Sequence, residues 1–147
     1  MQKIMFPALL GLLLSGTAAA DCEIDIQVGD MLSFSTDSIE VQSSCDTVTV
    51  NLEHTGTLPV EAMGHNWVLS RTEDFQAVAN AGMGAGVAGN YVPAGDERVI
   101  AATSLVGGGE STSVSFSIAN LDIGAEYTFF CSFPGHWSVM KGSFTIV

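Results

Sequence analysis

The sequence predicts an all-β domain, a sandwich or barrel of about eight short strands with one short helix inserted between them. Three observations predict it. Apolar and polar residues alternate with period two in segment after segment, and turn residues separate those segments at short intervals. One segment alone has the spacing of a helix. The length of 147 residues suits a single domain, for which about 100–200 residues is usual.

The strands are predicted from the alternation. Five segments alternate between apolar and polar residues and so have one buried face: 24–28, 39–42, 47–52, 113–118 and 143–146. Three further apolar segments complete the set: 66–70, 98–102 and 126–131. Glycine-rich turns lie between them, such as Gly107-Gly108-Gly109.

The single helix is predicted after Thr72, which is a suitable N-cap, with Glu73 and Asp74 in the first turn. Phe75, Val78 and Ala79 then follow at i, i+3 and i+4, and Gly82 is the expected stop. The helix would interrupt the strands as an insertion.

Residues 1–20 have the pattern of a secretory signal peptide. Lys3 is followed by an apolar run over 4–14 and by small residues ending at Ala20. A membrane-spanning helix needs about 20 apolar residues, which this run lacks. We therefore expect cleavage after Ala20, which leaves residues 21–147 as one domain in an exported protein.

The composition excludes several functions. The formal net charge is −12, with four Lys plus Arg against 16 Asp plus Glu. Nucleic-acid binding is excluded because it needs clustered cations. No other segment is long and apolar enough for a stable membrane association.

The chain has three cysteines, an odd number for an exported protein, in which disulfides persist. Cys22 and Cys45 flank the first strand-like stretch, and a bond between them would leave Cys131 unpaired. An unpaired exported cysteine calls for burial or a metal.

The chemistry is concentrated in the segment Cys131-x4-His136-x3-Met140, between two predicted strands of a β-hairpin. Pro134 and Gly135 predict a turn that brings thiol, imidazole and thioether together. His65 opens another strand and could add a second imidazole. One Cys, two His and a weak axial Met are the ligands of a blue-copper electron-transfer site.

Each of these residues alone has an ordinary explanation as a buried hydrophobe, a core filler or a hydrogen-bonded histidine. Their joint spacing favours a metal. Zinc is the rival, but methionine is a poor zinc ligand and copper binds such sites more tightly.

Several sequence segments resemble those of the azurin family, a group of bacterial blue copper proteins within the cupredoxins. They are Val50-Asn51-Leu52 with His54, the segment Met63-Gly64-His65-Asn66-Trp67-Val68-Leu69-Ser70, the segment Phe129-Phe130-Cys131-Ser132-Phe133-Pro134-Gly135-His136, and Met140-Lys141-Gly142. The resemblance covers residues 21–147 and implies a two-sheet Greek-key β-sandwich.

The resemblance also implies the roles of single residues. Cys131, His65 and His136 would bind copper in a plane, with Met140 and the Gly64 carbonyl oxygen as axial ligands. Asn66 would tie the two ligand loops together, and the Phe133 N–H would hydrogen-bond the Cys131 sulfur. Cys22 and Cys45 would form the disulfide.

An apolar docking patch is implied as well, which we call the apolar patch: Leu32, Leu58, Met63, Met83 and Gly135. Trp67 would be a buried core residue. His54 is either a satisfied core histidine or a pH-sensitive neighbour of the site, and Trp137 either packs or widens the apolar rim.

The function implied is one-electron transfer in the periplasm of a Gram-negative bacterium, between redox partners such as c-type cytochromes or copper nitrite reductase. An enzyme is disfavoured because every position around copper is filled and three histidines are too few for a multicopper centre. The alternative is copper storage or delivery.

Overall fold

The computed structural model describes residues 21–147, so the predicted signal peptide lies outside the described residues. Within these residues eight strands form two sheets, which confirms the predicted β-sandwich. In chain order they are β1 Glu23–Val28, β2 Ser38–Val41, β3 Thr47–His54, β4 Val68–Arg71, β5 Ala101–Ala102, β6 Ser111–Ser117, β7 Tyr127–Phe130 and β8 Lys141–Ile146.

The first sheet has the order β1-β3-β6. β1 lies parallel to β3, and β3 lies antiparallel to β6. The alternation predicted for β3 is observed: Val48, Val50 and Leu52 are buried, while the residues between them face outward. β3 ends with a buried polar residue, His54, at the same end of the sheet as Val28 of β1.

The second sheet has the order β2-β8-β7-β4-β5. β7 lies antiparallel to both β4 and β8, so β7 and β8 form the predicted hairpin. All four residues of β7 are buried because a helix covers the outer face of the sheet. Phe130 packs with Val78 and Ala79 of that helix, whereas Phe129 belongs to the core between the sheets.

Aromatic rings fill the centre of the sandwich. Trp67 is completely buried, as predicted, and its ring stacks on Phe116 and Phe129 at centroid distances of 5.9 and 6.0 Å. Phe144 of β8 meets Trp67 edge-on. Contacts of this kind are worth more than their buried area alone, so this cluster fixes how the two sheets face each other.

The inserted helix, which we call α2, spans Phe75–Gly82. The predicted stop at Gly82 is correct, but the predicted start is two residues early. Asp74 occupies the N-cap without a side-chain hydrogen bond, and Thr72 Oγ1 instead bonds Thr128 Oγ1 of β7 at 2.9 Å. A shorter helix earlier in the chain, α1, spans Val60–Met63. It was not predicted, because four residues are too few to display a helical period.

The predicted strand over 98–102 shrinks to Ala101–Ala102. Arg98 lies in a turn, where its guanidinium and backbone N–H both bond the Asp96 carboxylate. Among the described residues, no helix is long and apolar enough to cross a membrane.

The predicted disulfide is confirmed between Cys22 and Cys45, with a Cα–Cα distance of 5.8 Å. Cys22 lies just before the first residue of β1, and Cys45 lies just before the first residue of β3. The opposite end of the sandwich, where β1, β3 and β7 end and β4 and β8 begin, carries the predicted site. We call it the site end.

Candidate metal centre

His65 is held by backbone on both sides. Its N–H and C=O form an isolated bridge with Val106, at 3.0 and 2.9 Å. Its ring atom Nε2 lies 2.8 Å from the Gly29 carbonyl oxygen. A carbonyl only accepts, so Nε2 carries the proton and Nδ1 keeps a free lone pair. This is how proteins orient a histidine that ligates a metal.

The loop from Cys131 to Met140 closes on itself through its backbone. The Cys131 N–H donates to the Met140 carbonyl at 3.1 Å, and the Met140 N–H donates to the His136 carbonyl at 2.8 Å. Gly135 has φ of 82°, a left-handed conformation in which glycine is the favoured residue. A 3₁₀ turn over His136–Ser138 follows and turns the His136 ring inward.

Three ligand atoms meet as a result. Cys131 Sγ lies 3.7 Å from His65 Nδ1 and 3.6 Å from His136 Nδ1. All three atoms lie within 4.8 Å of one another, and the side chains are 0%, 0% and 6% exposed. Metal bonds of about 2.3 Å to sulfur and 2.0 Å to nitrogen in a plane place those ligand atoms roughly 3.7 Å apart. The spacing therefore fits one metal ion.

Burial keeps these groups uncharged without a metal. It raises the pKa of the Cys131 thiol to about 12, although backbone hydrogen bonds from Asn66 and Phe133 oppose the shift. Desolvation, with a smaller contribution from the nearby His65, lowers the pKa of His136 to about 4. The pKa of His65 is lowered mainly by burial too. Neutral imidazoles are the form that binds metals, and a bound cation would replace the thiol proton.

Of the two residues predicted as axial ligands, Gly64 has its carbonyl oxygen near the cysteine sulfur and Met140 is buried at the end of the ligand loop. The Gly64 carbonyl oxygen is 4.0 Å from Cys131 Sγ. A Cβ on Gly64 would collide with the Val60 carbonyl oxygen, so a glycine is needed there. Met140 is 1% exposed and ends the ligand loop. The role of both residues as ligands stays a prediction.

Asn66 joins the two ligand loops. Its Oδ1 accepts from the Ser132 N–H at 2.8 Å, and its Nδ2 donates to Ser132 Oγ and to the Asn90 carbonyl oxygen, both at 2.8 Å. The side chain is fully buried, and its amide oxygen and both hydrogens of its amide nitrogen are hydrogen-bonded. Ser132 follows Cys131 directly, so Asn66 fixes the position of the cysteine.

Comparison with known proteins is consistent with this geometry. A family model described as copper binding proteins, plastocyanin/azurin family, matches residues 20–147. The chain belongs to the plastocyanin/azurin family. It is 51% identical over 140 residues to the azurin of Bordetella pertussis, covering 95% of this chain and 93% of that protein.

Other azurins are equally similar. The azurin of Pseudomonas aeruginosa is 47% identical over 146 residues, which covers 99% of both chains. That of Alcaligenes faecalis is 55% identical over 122 residues, covering 83% of this chain and 95% of the relative. The structure of azurin Az-iso2 from Methylomonas sp. strain J matches with a TM-score of 0.84 and 48% identity, covering 87% of this chain and 99% of that one.

Membership of this family confirms the predicted cofactor, copper. It identifies the chain as an azurin-like blue copper protein of the electron-transfer class. Proteins of this class are electron carriers that have redox partners, and they are generally not enzymes.

His54 lies directly beside the site. Its ring stacks on His65 with centroids 5.1 Å apart, and it is 1% exposed. Its Nδ1 accepts from the Gly56 N–H at 3.1 Å, and its Nε2 donates to the Met63 carbonyl at 3.0 Å. Both ring nitrogens are satisfied in the neutral form, which supports the interpretation as a satisfied core histidine.

Trp137 packs rather than widening the apolar rim. Its half-buried ring meets Phe75 of α2 edge-on and joins the cluster around Val68 and Phe130. Of the residues predicted for the apolar patch, Leu32, Leu58, Met83 and Gly135 are exposed and Met63 is half-buried. That they form one docking surface stays a prediction.

Two residues of the site region were missed from the sequence. Asn90 and Tyr91 both have left-handed backbone, with φ of 56° and 53°. Asn90 offers its carbonyl to Asn66, and its Oδ1 accepts from the Leu105 N–H at 2.9 Å. The Tyr91 ring meets Phe133, which in turn packs on His136. An asparagine in a glycine-rich segment is a signal for such a conformation.

Proposed function

We propose that this chain is a periplasmic electron carrier that cycles between Cu(I) and Cu(II) in the site formed by Cys131, His65 and His136. The observation that carries the proposal is the triangle of one sulfur and two Nδ1 atoms, with the sulfur 3.7 and 3.6 Å from the two nitrogens, formed by three buried residues. Copper supplies a one-electron change between two oxidation states that soft thiolate and imidazole ligands both accept.

The chain's own residues would keep the site geometry the same in both states. The bond from His65 to the Gly29 carbonyl prevents rotation of that ring. The Asn66 side chain holds Ser132 and hence Cys131, and backbone bonds close the loop to Met140. A site fixed in advance by such bonds has little to rearrange when an electron moves.

Met140 and the Gly64 carbonyl oxygen would complete the set of residues that hold the copper, as weak ligands. Weak axial ligation and hydrogen bonds to the cysteine sulfur tune the reduction potential of such sites. The bonds from the backbone N–H of Asn66 and of Phe133 would act in this way.

Electrons would enter and leave through His136, which is slightly exposed and lies beside Gly135 of the apolar patch. A small apolar surface suits the brief contacts between redox proteins. The partners we propose are c-type cytochromes or a copper nitrite reductase. Export by the signal peptide over residues 1–20 would place the chain in the periplasm.

Absorption spectroscopy of the mature protein tests this function. After addition of Cu(II), we expect an intense blue thiolate-to-copper band that bleaches with ascorbate and returns on reoxidation. The Cys131→Ser variant is expected to be colourless. Copper bound without that band would contradict the proposal and would favour copper storage or delivery, the alternative function.

A further inference from the structure

The apolar patch is larger than the resemblance implied. Met31 lies next to Leu32 and is 73% exposed, more than any other large apolar side chain in residues 21–147. Hydrogen bonds from the Thr57 and Leu58 N–H groups to the Asp30 carboxylate, at 3.0–3.1 Å, bring this loop against Leu58. Met31 therefore extends the apolar surface at the site end.

The charges around this surface have one sign. The loops of the site end are five segments: 29–34, 54–65, 83–92, 105–110 and 131–140. They contain no Lys or Arg and carry three carboxylates, those of Asp30, Glu61 and Glu110.

Two of these carboxylates are fixed in place. Backbone N–H groups of Thr57 and Leu58 bond Asp30, and they lower its pKa, so it is ionised at neutral pH. Glu110 Oε2 accepts from the Gly107 N–H at 2.7 Å. Glu61 is exposed in α1, two residues before Met63 of the apolar patch. The negative charge is therefore built into the loops that frame the patch.

The cations of the described chain lie outside these five loops and make other contacts. Arg71, at the far end of β4 from His65, bonds Asp122 at 2.7 Å. Arg98 bonds Asp96 at 2.6 Å. Lys141 opens β8 directly after Met140, but its ammonium group lies over the Phe75 ring at 4.9 Å, on the side covered by α2. Among residues 21–147 there is no further Lys or Arg to offset the carboxylates at the site end.

We propose that the redox partner of this chain has a cationic docking face, in which Lys and Arg side chains surround an apolar area. The inference rests on the proposed electron-carrier function and names the chemistry of its partner. The apolar patch would make the close contact near His136, and Asp30, Glu61 and Glu110 would steer the partner into position. Complementary charges of this kind raise association rates by about 10- to 1,000-fold at low salt.

Stopped-flow kinetics of the copper-loaded mature protein tests the proposal. The reduced protein is mixed with either of two oxidised c-type cytochromes of similar potential, one with a basic and one with an acidic haem-edge surface. We expect the basic cytochrome to react at least roughly tenfold faster at 10 mM salt, and the difference to shrink at 300 mM because salt screens the charges.

Two variants with the same change in net charge locate the effect. The variant E61Q/E110Q removes two carboxylates at the site end, and E40Q/E126Q removes two exposed carboxylates on β2 and before β7, away from the site. We expect the first to slow the reaction with the basic cytochrome by roughly three- to tenfold at low salt, and the second by less than about twofold.

Equal slowing in both variants, or an equal or faster reaction with the acidic cytochrome, would overturn the proposal. A reversible blue band in both variants would show in those cases that the carrier function itself stands. If the wild-type protein gave no blue band, the proposed function and this inference would both fail.

Discussion

The two ends of the β-sandwich are held by different interactions. At the end where β1 and β3 begin, the Cys22–Cys45 disulfide links two segments of the chain. β4 finishes at this same end of the sandwich, where Arg71 forms an exposed ion pair with Asp122. The site end has no covalent link in the described chain. It is held by single hydrogen bonds, notably those of Asn66 and of the His65 ring. The disulfide at one end therefore contributes mainly to overall stability, whereas the hydrogen bonds at the other end fix the geometry of the site.

The largest expected effect on stability comes from the disulfide. Replacing both Cys22 and Cys45 with Ala should lower the free energy of unfolding of the copper-free protein by about 3–4 kcal/mol, from the chain entropy of the loop that it closes. Urea unfolding measures the loss. The blue band of the copper-loaded variant should keep its position, because the bond lies at the end away from the site. A displaced band would show that the two ends are coupled.

Asn66→Ala should affect both stability and the site. It leaves the buried Ser132 N–H without its partner and leaves the Asn90 carbonyl oxygen with the longer bond from Ser132 Oγ, which should cost about 2–3 kcal/mol in unfolding free energy. The reduction potential and the blue band should shift, because Cys131 loses its support. Both are measured on the copper-loaded protein.

Ser132→Ala is the matched control for that variant. It removes the hydroxyl but keeps the backbone bond from the Ser132 N–H to Asn66 Oδ1. We expect a smaller loss of stability and little shift in potential. Equal shifts in both variants would mean that the hydroxyl, rather than the backbone bond, positions the cysteine.

The left-handed backbone at Asn90 provides a finer test. Asn90→Ala and Asn90→Gly both lose the side-chain bond to the Leu105 N–H, but only glycine adopts positive φ without cost. The Ala variant should be less stable than the Gly variant by about 1 kcal/mol. Hydrogen exchange at the Ser132 N–H should quicken more in the Ala variant.

Gly124→Ala is the control at the other end of the sandwich. Gly124 has φ of 76°, and its N–H donates to Ile146 at the end of β8. A Cβ there would meet nothing within 4 Å, so the substitution tests backbone strain alone. A similar loss of stability is expected with normal exchange at Ser132. Quicker exchange in this control would remove the special role assigned to Asn90.

The difference between the ends also explains what the sequence could predict. The strands followed from alternation because one face of each packs into the core, as Val48, Val50 and Leu52 do in β3. The cluster of Cys131, His65 and His136 followed from residue types and spacing. The fold and the ligand types could therefore be predicted, because both depend on the identity and spacing of side chains.

The contacts that hold the ligand residues in place could not be predicted from side-chain patterns. Asn90 acts through its carbonyl oxygen, and Gly29 and Val106 act through backbone atoms that every residue has. The start of α2 was misplaced for a related reason, because Thr72 bonds Thr128 on another strand instead of capping the helix. Contacts made by backbone atoms or between distant segments do not leave a local pattern.

The smallest effect is expected for the ion pair at the end away from the site. The Arg71 and Asp122 side chains are 42% and 69% exposed, so solvent screens their attraction. Arg71→Gln should lower the free energy of unfolding only slightly. The urea midpoint should differ from that of wild type at low salt and approach it at 1 M salt, because salt weakens an exposed pair. A loss that persists at 1 M salt would instead be due to the packing of the guanidinium on the Tyr127 ring, 5.6 Å from its centroid.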